Sequence, residues 1–161
     1  AFYLGLAGTF SLLPSLILTP FVGVLADQAD RRRILIATQG AALVHSTLLA
    51  AVAFAGVASI PLLLGFALFQ GVIQGFDWTN RQSMLAQLVD DRADLPNAIA
   101  LNSTSFNLAR ILGPTLAGAL LAFSGEGACF VFAAVAELAA LQFTRRLRLA
   151  PRPSRESRPA M

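Results

Sequence analysis

Charge vanishes from two long stretches of this chain. Residues 1–26 and 34–76 contain no Asp, Glu, Lys or Arg, and Leu, Ala, Phe, Val and Ile dominate both. A membrane-crossing helix needs about 20 predominantly apolar residues. The first stretch therefore holds one such helix and the second holds two. The polar punctuation predicts five helices, over about 2–26, 33–56, 60–88, 96–123 and 128–147. A charged turn, Asp27 to Arg33, follows the first. Ser59 is placed to cap the third helix, with Pro61 in its first turn. Asp90 to Asp94 forms the next loop, and Ser124-Gly-Glu-Gly127 turns the chain again. Pro14, Pro20 and Pro114 fall inside helices, where neighbouring helices can re-satisfy the freed carbonyls. The expected fold is all-α, a polytopic transmembrane bundle over 1–149. A disordered Arg/Pro-rich tail is expected over 150–161.

Composition agrees with the pattern. The chain has 161 residues, 56% hydrophobic and 13% charged, with a mean hydropathy of +0.67. Soluble domains carry about 25% charged residues. The isoelectric point of 10.4 invites a nucleic-acid reading. The distribution of Arg argues against it. If the helices alternate, the segments 27–33, 81–94 and 145–161 share one side and hold 11 of the 12 basic residues, all Arg. The links at 56–60 and 124–127 hold none. The positive-inside rule places the Arg-bearing side, tail included, in the cytoplasm. The absence of Lys hints at a GC-rich bacterium, so the expected setting is a bacterial cytoplasmic (inner) membrane. The single Cys129 excludes an internal disulfide, and no metal-ligand spacing, cofactor motif or nucleophile–base–acid set is present. An enzyme is not expected. The chain starts at Ala1 directly in apolar sequence, which reads as a cut into a longer protein.

Ionisable groups inside a membrane are costly and mark function by default. Asp77, Arg110 and Glu137 are the candidates. A rise of about 1.5 Å per residue puts them roughly 24, 21 and 16 Å below the outer ends of their helices. At such similar depths Arg110 can pair with either carboxylate, leaving the other to titrate. Gln70, Gln74, Asp77 and Arg81 follow i, i+4, i+7, i+11 spacing, one helix face. Ser103, Asn107, Arg110 and Pro114 repeat it on the next helix. Two polar stripes on neighbouring helices predict a shared wet interior. His45, mid-helix, allows a proton relay and reads first as a hydrogen-bonded structural residue. Gly5, Gly8, Gly40 and Gly113 are the expected close-packing glycines.

Gly23-Val-Leu-Ala-Asp-Gln-Ala-Asp-Arg-Arg-Arg33 resembles the signature loop between helices two and three of the major facilitator superfamily, with Gly23, Leu25, Asp27, Arg31 and Arg32 matching. Gln28 and Asp30 depart from it. The Asp-Arg-Arg-Arg form looks like the branch containing enterobactin exporters and macrolide-efflux proteins. Gly113-Pro114…Gly118 resembles that family's helix-five antiporter motif, a helix bend and packing element, with one extra residue in the spacing. Asp77 to Arg81 resembles the branch's D-N-P-A-R element. The resemblance covers about 2–149, as family helices two to six of an incomplete N-terminal half. It implies alternating-access efflux of small amphipathic molecules, drug or siderophore, with proton coupling. It also implies that the partners are lipid, the missing C-terminal half, the small-molecule substrate and protons, without nucleic acid. It makes Gly23, Leu25, Asp27, Asp30, Arg31 and Arg32 a conformational latch. Gln70, Gln74, Asp77, Arg81, Ser103, Asn107, Arg110 and Glu137 become the proton or substrate path. The family's usual helix-four Arg is replaced by Ala67, leaving Arg81 and Arg110 as substitutes. The alternative from another class is a stand-alone five-helix accessory or assembly module.

Overall fold

The computed structural model describes residues 2–28, 31–85 and 92–146, without the side chains at 4, 19–28, 31, 82–85 and 92. Every regular element among them is helical: α1 (Phe2–Gln28), α2 (Arg31–Ala55), α3 (Ile60–Leu85), a single 3-10 turn (Arg92–Asp94) and α4 (Leu95–Arg146). The expected end of the third helix at 88 and the tail at 150–161 lie outside the described residues. α4 is interrupted at Gly125, whose φ of 78° and ψ of 179° are non-helical. A side chain at that φ would be strained, so glycine is the residue that lets the chain turn here. The interruption divides α4 into arms 95–124 and 126–146. Cys129 Sγ lies 3.6 Å from the Ala117 carbonyl oxygen, so the arms lie against each other beside the turn. Pro114 sits within the first arm without ending it. Among the described residues, three helices are long and apolar enough to cross a membrane, over Arg32–Ala55, Ile60–Arg81 and Leu95–Arg146. The described apolar part of α1, Gly5–Leu18, is shorter.

Local chemistry explains the ends. Gly56, at φ 65°, follows α2 in the left-handed region, and its N–H reaches the Ala53 carbonyl at 3.3 Å. The Ser59 carbonyl accepts from Leu63 N–H at 2.9 Å, the first helical bond of α3. α1 remains helical through Pro14 and Pro20. Pro14 cannot donate to the Phe10 carbonyl, and that oxygen lies beside α3 at Gly71.

α1 packs on α3, and α2 packs on both α3 and α4. Gly71 faces Ser11, and Gly75 faces Ser15. Residue numbers rise together along this contact, so α1 and α3 run parallel. A Cβ added at Gly71 would overlap the Ser11 carbonyl oxygen, and one at Gly75 would stand 3.1 Å from Ser15 Cα. Small residues four apart on both helices let the backbones touch, the close approach that membrane bundles favour where burial from water supplies no drive. α2 runs antiparallel to α3, with His45 beside Phe66 and Thr38 beside Asp77. It also runs antiparallel to the second arm of α4, with Phe54 against Gly127 and Arg32 at Arg145.

α2 supplies much of the interior. Leu35, Thr38, Gln39, Ala42, His45 and Ala50 are buried there, with Ile73 and Asn80 of α3 and Leu141 and Thr144 of the second arm. Many large apolar side chains point outward, among them Leu16, Phe54, Ile111 and Phe143. Polar groups inside and apolar groups outside suit a hydrocarbon surround. Residues 99–119 of the first α4 arm are exposed throughout. An added Cβ at Gly5, Gly8, Gly40, Gly113 or Gly118 meets nothing within 4 Å. Among the described residues, the tight contacts are at Gly71, Gly75 and Gly127 instead of the expected glycines.

Candidate functional site

The polar stripe of α3 is the centre of the site. Asp77 uses both carboxylate oxygens. Oδ2 accepts from Arg81 Nε at 2.6 Å, one turn along the same helix, and Oδ1 accepts from Thr38 Oγ1 of α2 at 3.3 Å. Thr38 Oγ1 also lies 3.1 Å from its own helix carbonyl at Leu35. The ion-paired Asp77 side chain is 26% exposed and that of Arg81 53%. The pair thus opens on one flank and is closed by α2 on the other.

Three cavities meet at Asp77. One of about 530 Å³ lies between α3 and the first α4 arm, lined by Asp77, Trp78, Arg81, Ser103, Phe106 and Asn107, among others. Trp78 and Phe106 cross its mouth edge to face, with ring centroids 5.3 Å apart. A second of about 530 Å³ lies towards α1, where Ser15, Leu16 and Gln74 join Asp77 and Trp78. The third, about 210 Å³, is a chamber between α2, α3 and the second α4 arm. Gln70, Gln74, Asp77 and Arg81 line it from α3, Thr38 and Gln39 from α2, and Glu137 from α4.

The sequence-predicted residues therefore divide. All four polar residues of the α3 stripe line the chamber with Glu137, and Ser103 and Asn107 share the wider cavity with Asp77 and Arg81. Arg110 is exposed on the first arm and lines none of these three cavities. The partner of Asp77 in this arrangement is Arg81, not Arg110. Thr38 and Gln39 are site residues that sequence reasoning missed. Thr38, Ala42 and His45 stand at i, i+4 and i+7 on α2, a stripe whose small middle residue hid it. His45 is buried, and its Nε2 donates to the Phe66 carbonyl at 3.1 Å, with the ring edge-on to Phe66 at 5.4 Å. It pins α2 to α3.

Of the loop-motif residues, Gly23, Leu25 and Asp27 lie at the end of α1 and Arg31 opens α2. Their side chains, and Asp30 altogether, lie outside the described residues. Arg32 Nη2 donates to the Arg145 carbonyl at 2.7 Å. This sets a cation at the negative end of the second α4 arm, a favourable position.

Residues 4–158 match the model of the transmembrane secretion effector family, a major-facilitator type. The chain belongs to that family. It is also similar to the staphyloferrin A transporter of Staphylococcus aureus (strain NCTC 8325 / PS 47), with 27% identity over 141 residues, 83% of this chain and 35% of that protein. The chain thus spans about a third of that relative's length. No solved structure matches it. Membership of a family of secretion effectors fits apolar helices enclosing polar cavities, and suggests a transport protein, not an enzyme.

Proposed function

We propose that this chain is the N-terminal part of an efflux transporter that moves a small amphipathic molecule, a siderophore or drug, across a bacterial inner membrane by alternating access. The observation that carries the reading is the position of Asp77. It is an ion-paired carboxylate on a helix apolar enough to span a membrane, in the wall shared by three cavities. A cavity of about 530 Å³ is in the size range of small-molecule pockets. Its aromatic rim and hydroxyl and amide lining suit an amphipathic substrate. The similarity to a staphyloferrin A transporter favours a siderophore over other amphipathic molecules.

In this reading the two α4 arms are separate spans, giving five with α1. The loops at 27–33 and 81–94 and the tail face the cytoplasm. A second half, outside this chain, supplies the opposite wall, and 99–119 of α4 present an open face to it. Protons drive the cycle, with Glu137 releasing and taking one while Asp77 stays paired with Arg81. The loop motif latches the cytoplasmic side through Asp27.

Everted vesicles containing the full-length polypeptide test the reading. An acid interior should drive uptake of a labelled siderophore, and a protonophore should abolish it. Uptake equal to that of vesicles lacking the protein would overturn the transporter reading. Asp27→Asn should reach the membrane at normal abundance and slow uptake by about threefold to tenfold, the roughly 1 kcal/mol of an ordinary hydrogen bond, because Asn still offers an acceptor oxygen. An unchanged rate would remove the latch role. Arg110→Gln should leave Asp77-dependent transport largely intact, because Arg81 already pairs with Asp77. Loss of transport in Arg110→Gln, restored by a paired change at Asp77, would return Arg110 to the pairing first expected of it.

A further inference from the structure

The chamber behind Asp77 is short of one positive charge. Asp77 and Glu137 bring two carboxylates to its lining and Arg81 brings one guanidinium. Asp77 is already bound by Arg81 and Thr38, which leaves Glu137 as the chamber carboxylate with no cation at hydrogen-bond range among the described residues. A second and independent feature points to a ligand. Gln39 lines the chamber at 4% exposure, and its Oε1 is buried with no hydrogen-bond partner. A buried amide oxygen left unmade costs about 1–3 kcal/mol, so such a group is kept where something satisfies it.

The donor set selects the chemistry. Gln39 Oε1, the Thr38 hydroxyl, the Glu137 carboxylate and the side-chain amides of Gln70 and Gln74 offer oxygen alone, which hard cations prefer. The charge deficit is one, which fits a monovalent ion. Among the described residues no group of three or more His, Cys, Asp or Glu could hold a metal ion, so the carboxylate-rich shell of a divalent cation is not offered. The chamber's 210 Å³ has room for an ion and several of its waters, since a water occupies about 30 Å³ in the liquid. A proton on Glu137 would balance the charge but would leave Gln39 Oε1 without a partner.

We propose that this chamber is a binding site for a small hard monovalent cation, Na⁺, held by Glu137, Gln39 and Thr38 with amide oxygens from α3. The inference deepens the transport reading by naming a coupling ion that competes with the proton at Glu137. Its binding test stands apart from transport. Asp77 borders both the chamber and the wider cavities, so an ion beside it bears on the same carboxylate that substrate would meet.

The experiment uses the full-length protein purified in detergent at fixed pH and ionic strength, with NaCl exchanged for choline chloride. Bound radioactive Na⁺ and the unfolding temperature are read together. Wild type should retain Na⁺ and unfold about 2–4 °C higher in NaCl than in choline chloride. Gln39→Met and Glu137→Gln should each weaken Na⁺ retention about tenfold or more and remove the temperature difference. Thr38→Val serves as a third variant should Gln39→Met fail to fold. Equal unfolding temperatures in the two salts with no retained Na⁺ would overturn the site and leave a proton or water as occupant. Retained Na⁺ that survives both substitutions would also overturn it by placing the ion elsewhere. Proton-driven uptake without Na⁺ binding would sink this site and leave the transport reading standing. Na⁺ binding lost in both variants, without siderophore uptake, would keep the site and sink the transport reading.

Discussion

Asp77→Asn should reach the membrane folded and lose export by about tenfold to a hundredfold. Hydrogen bonds to charged groups are worth about 1.5–3 kcal/mol, which sets this range. The substitution removes the charge that Arg81 meets at 2.6 Å and turns one acceptor oxygen into a donor amide. The Arg81 guanidinium, half exposed, then swings free into the wider cavity that it lines. Asp77→Glu keeps the charge one methylene further out and should recover part of the rate. Initial uptake rates in everted vesicles, normalised to protein abundance, measure both. Export by Asp77→Asn at the wild-type rate would show that the pair is only structural, and the central observation behind the transport reading would be gone.

Gly71→Leu should have the largest effect on folding. Its Cβ would overlap the Ser11 carbonyl, a backbone atom that cannot rotate away as a side-chain tip can. Overpacking costs about 1–3 kcal/mol even where side chains can yield, and here a helix must shift. Little monodisperse protein is expected by size-exclusion chromatography, and the residue should unfold well below wild type. Gly40→Ala is the matched control. Its added Cβ meets nothing within 4 Å, and replacing a helical glycine with alanine gains up to about 1 kcal/mol. Equal behaviour of the two variants would mean that α1 and α3 do not meet as described.

Much of this arrangement is legible from spacing alone. The charge-free runs mark helices because a bilayer tolerates few ionised groups, and the i, i+4, i+7, i+11 pattern put Gln70, Gln74, Asp77 and Arg81 on one chamber wall. Depth arithmetic placed Arg110 level with Asp77, but depth alone does not choose the partner, and here Asp77 pairs with Arg81. Depth is one coordinate, and the rotation and lateral position of the first α4 arm supply the others. Asp77 found a cation one turn away on its own helix. The tight glycines were hidden for a related reason. A glycine's neighbours belong to another helix, so no single run of sequence reveals them. The matching pairs Ser11/Ser15 and Gly71/Gly75 are the signal that could have done so. Gln39 was hidden because a lone amide on an apolar helix announces neither charge nor period.

The parallel contact between α1 and α3 has a mechanical meaning. Backbone approaches backbone at Gly71 and Gly75, leaving no compliant side chain to absorb a push at these two points. Asp77 lies roughly 9 Å along α3 from Gly71, and Asp27 roughly 18 Å along α1 from Ser15. If the loop at the end of α1 is the latch proposed above, a force on it would pass to α3 at this crossing. Softening that crossing would blunt the transmission even where both ends are chemically intact.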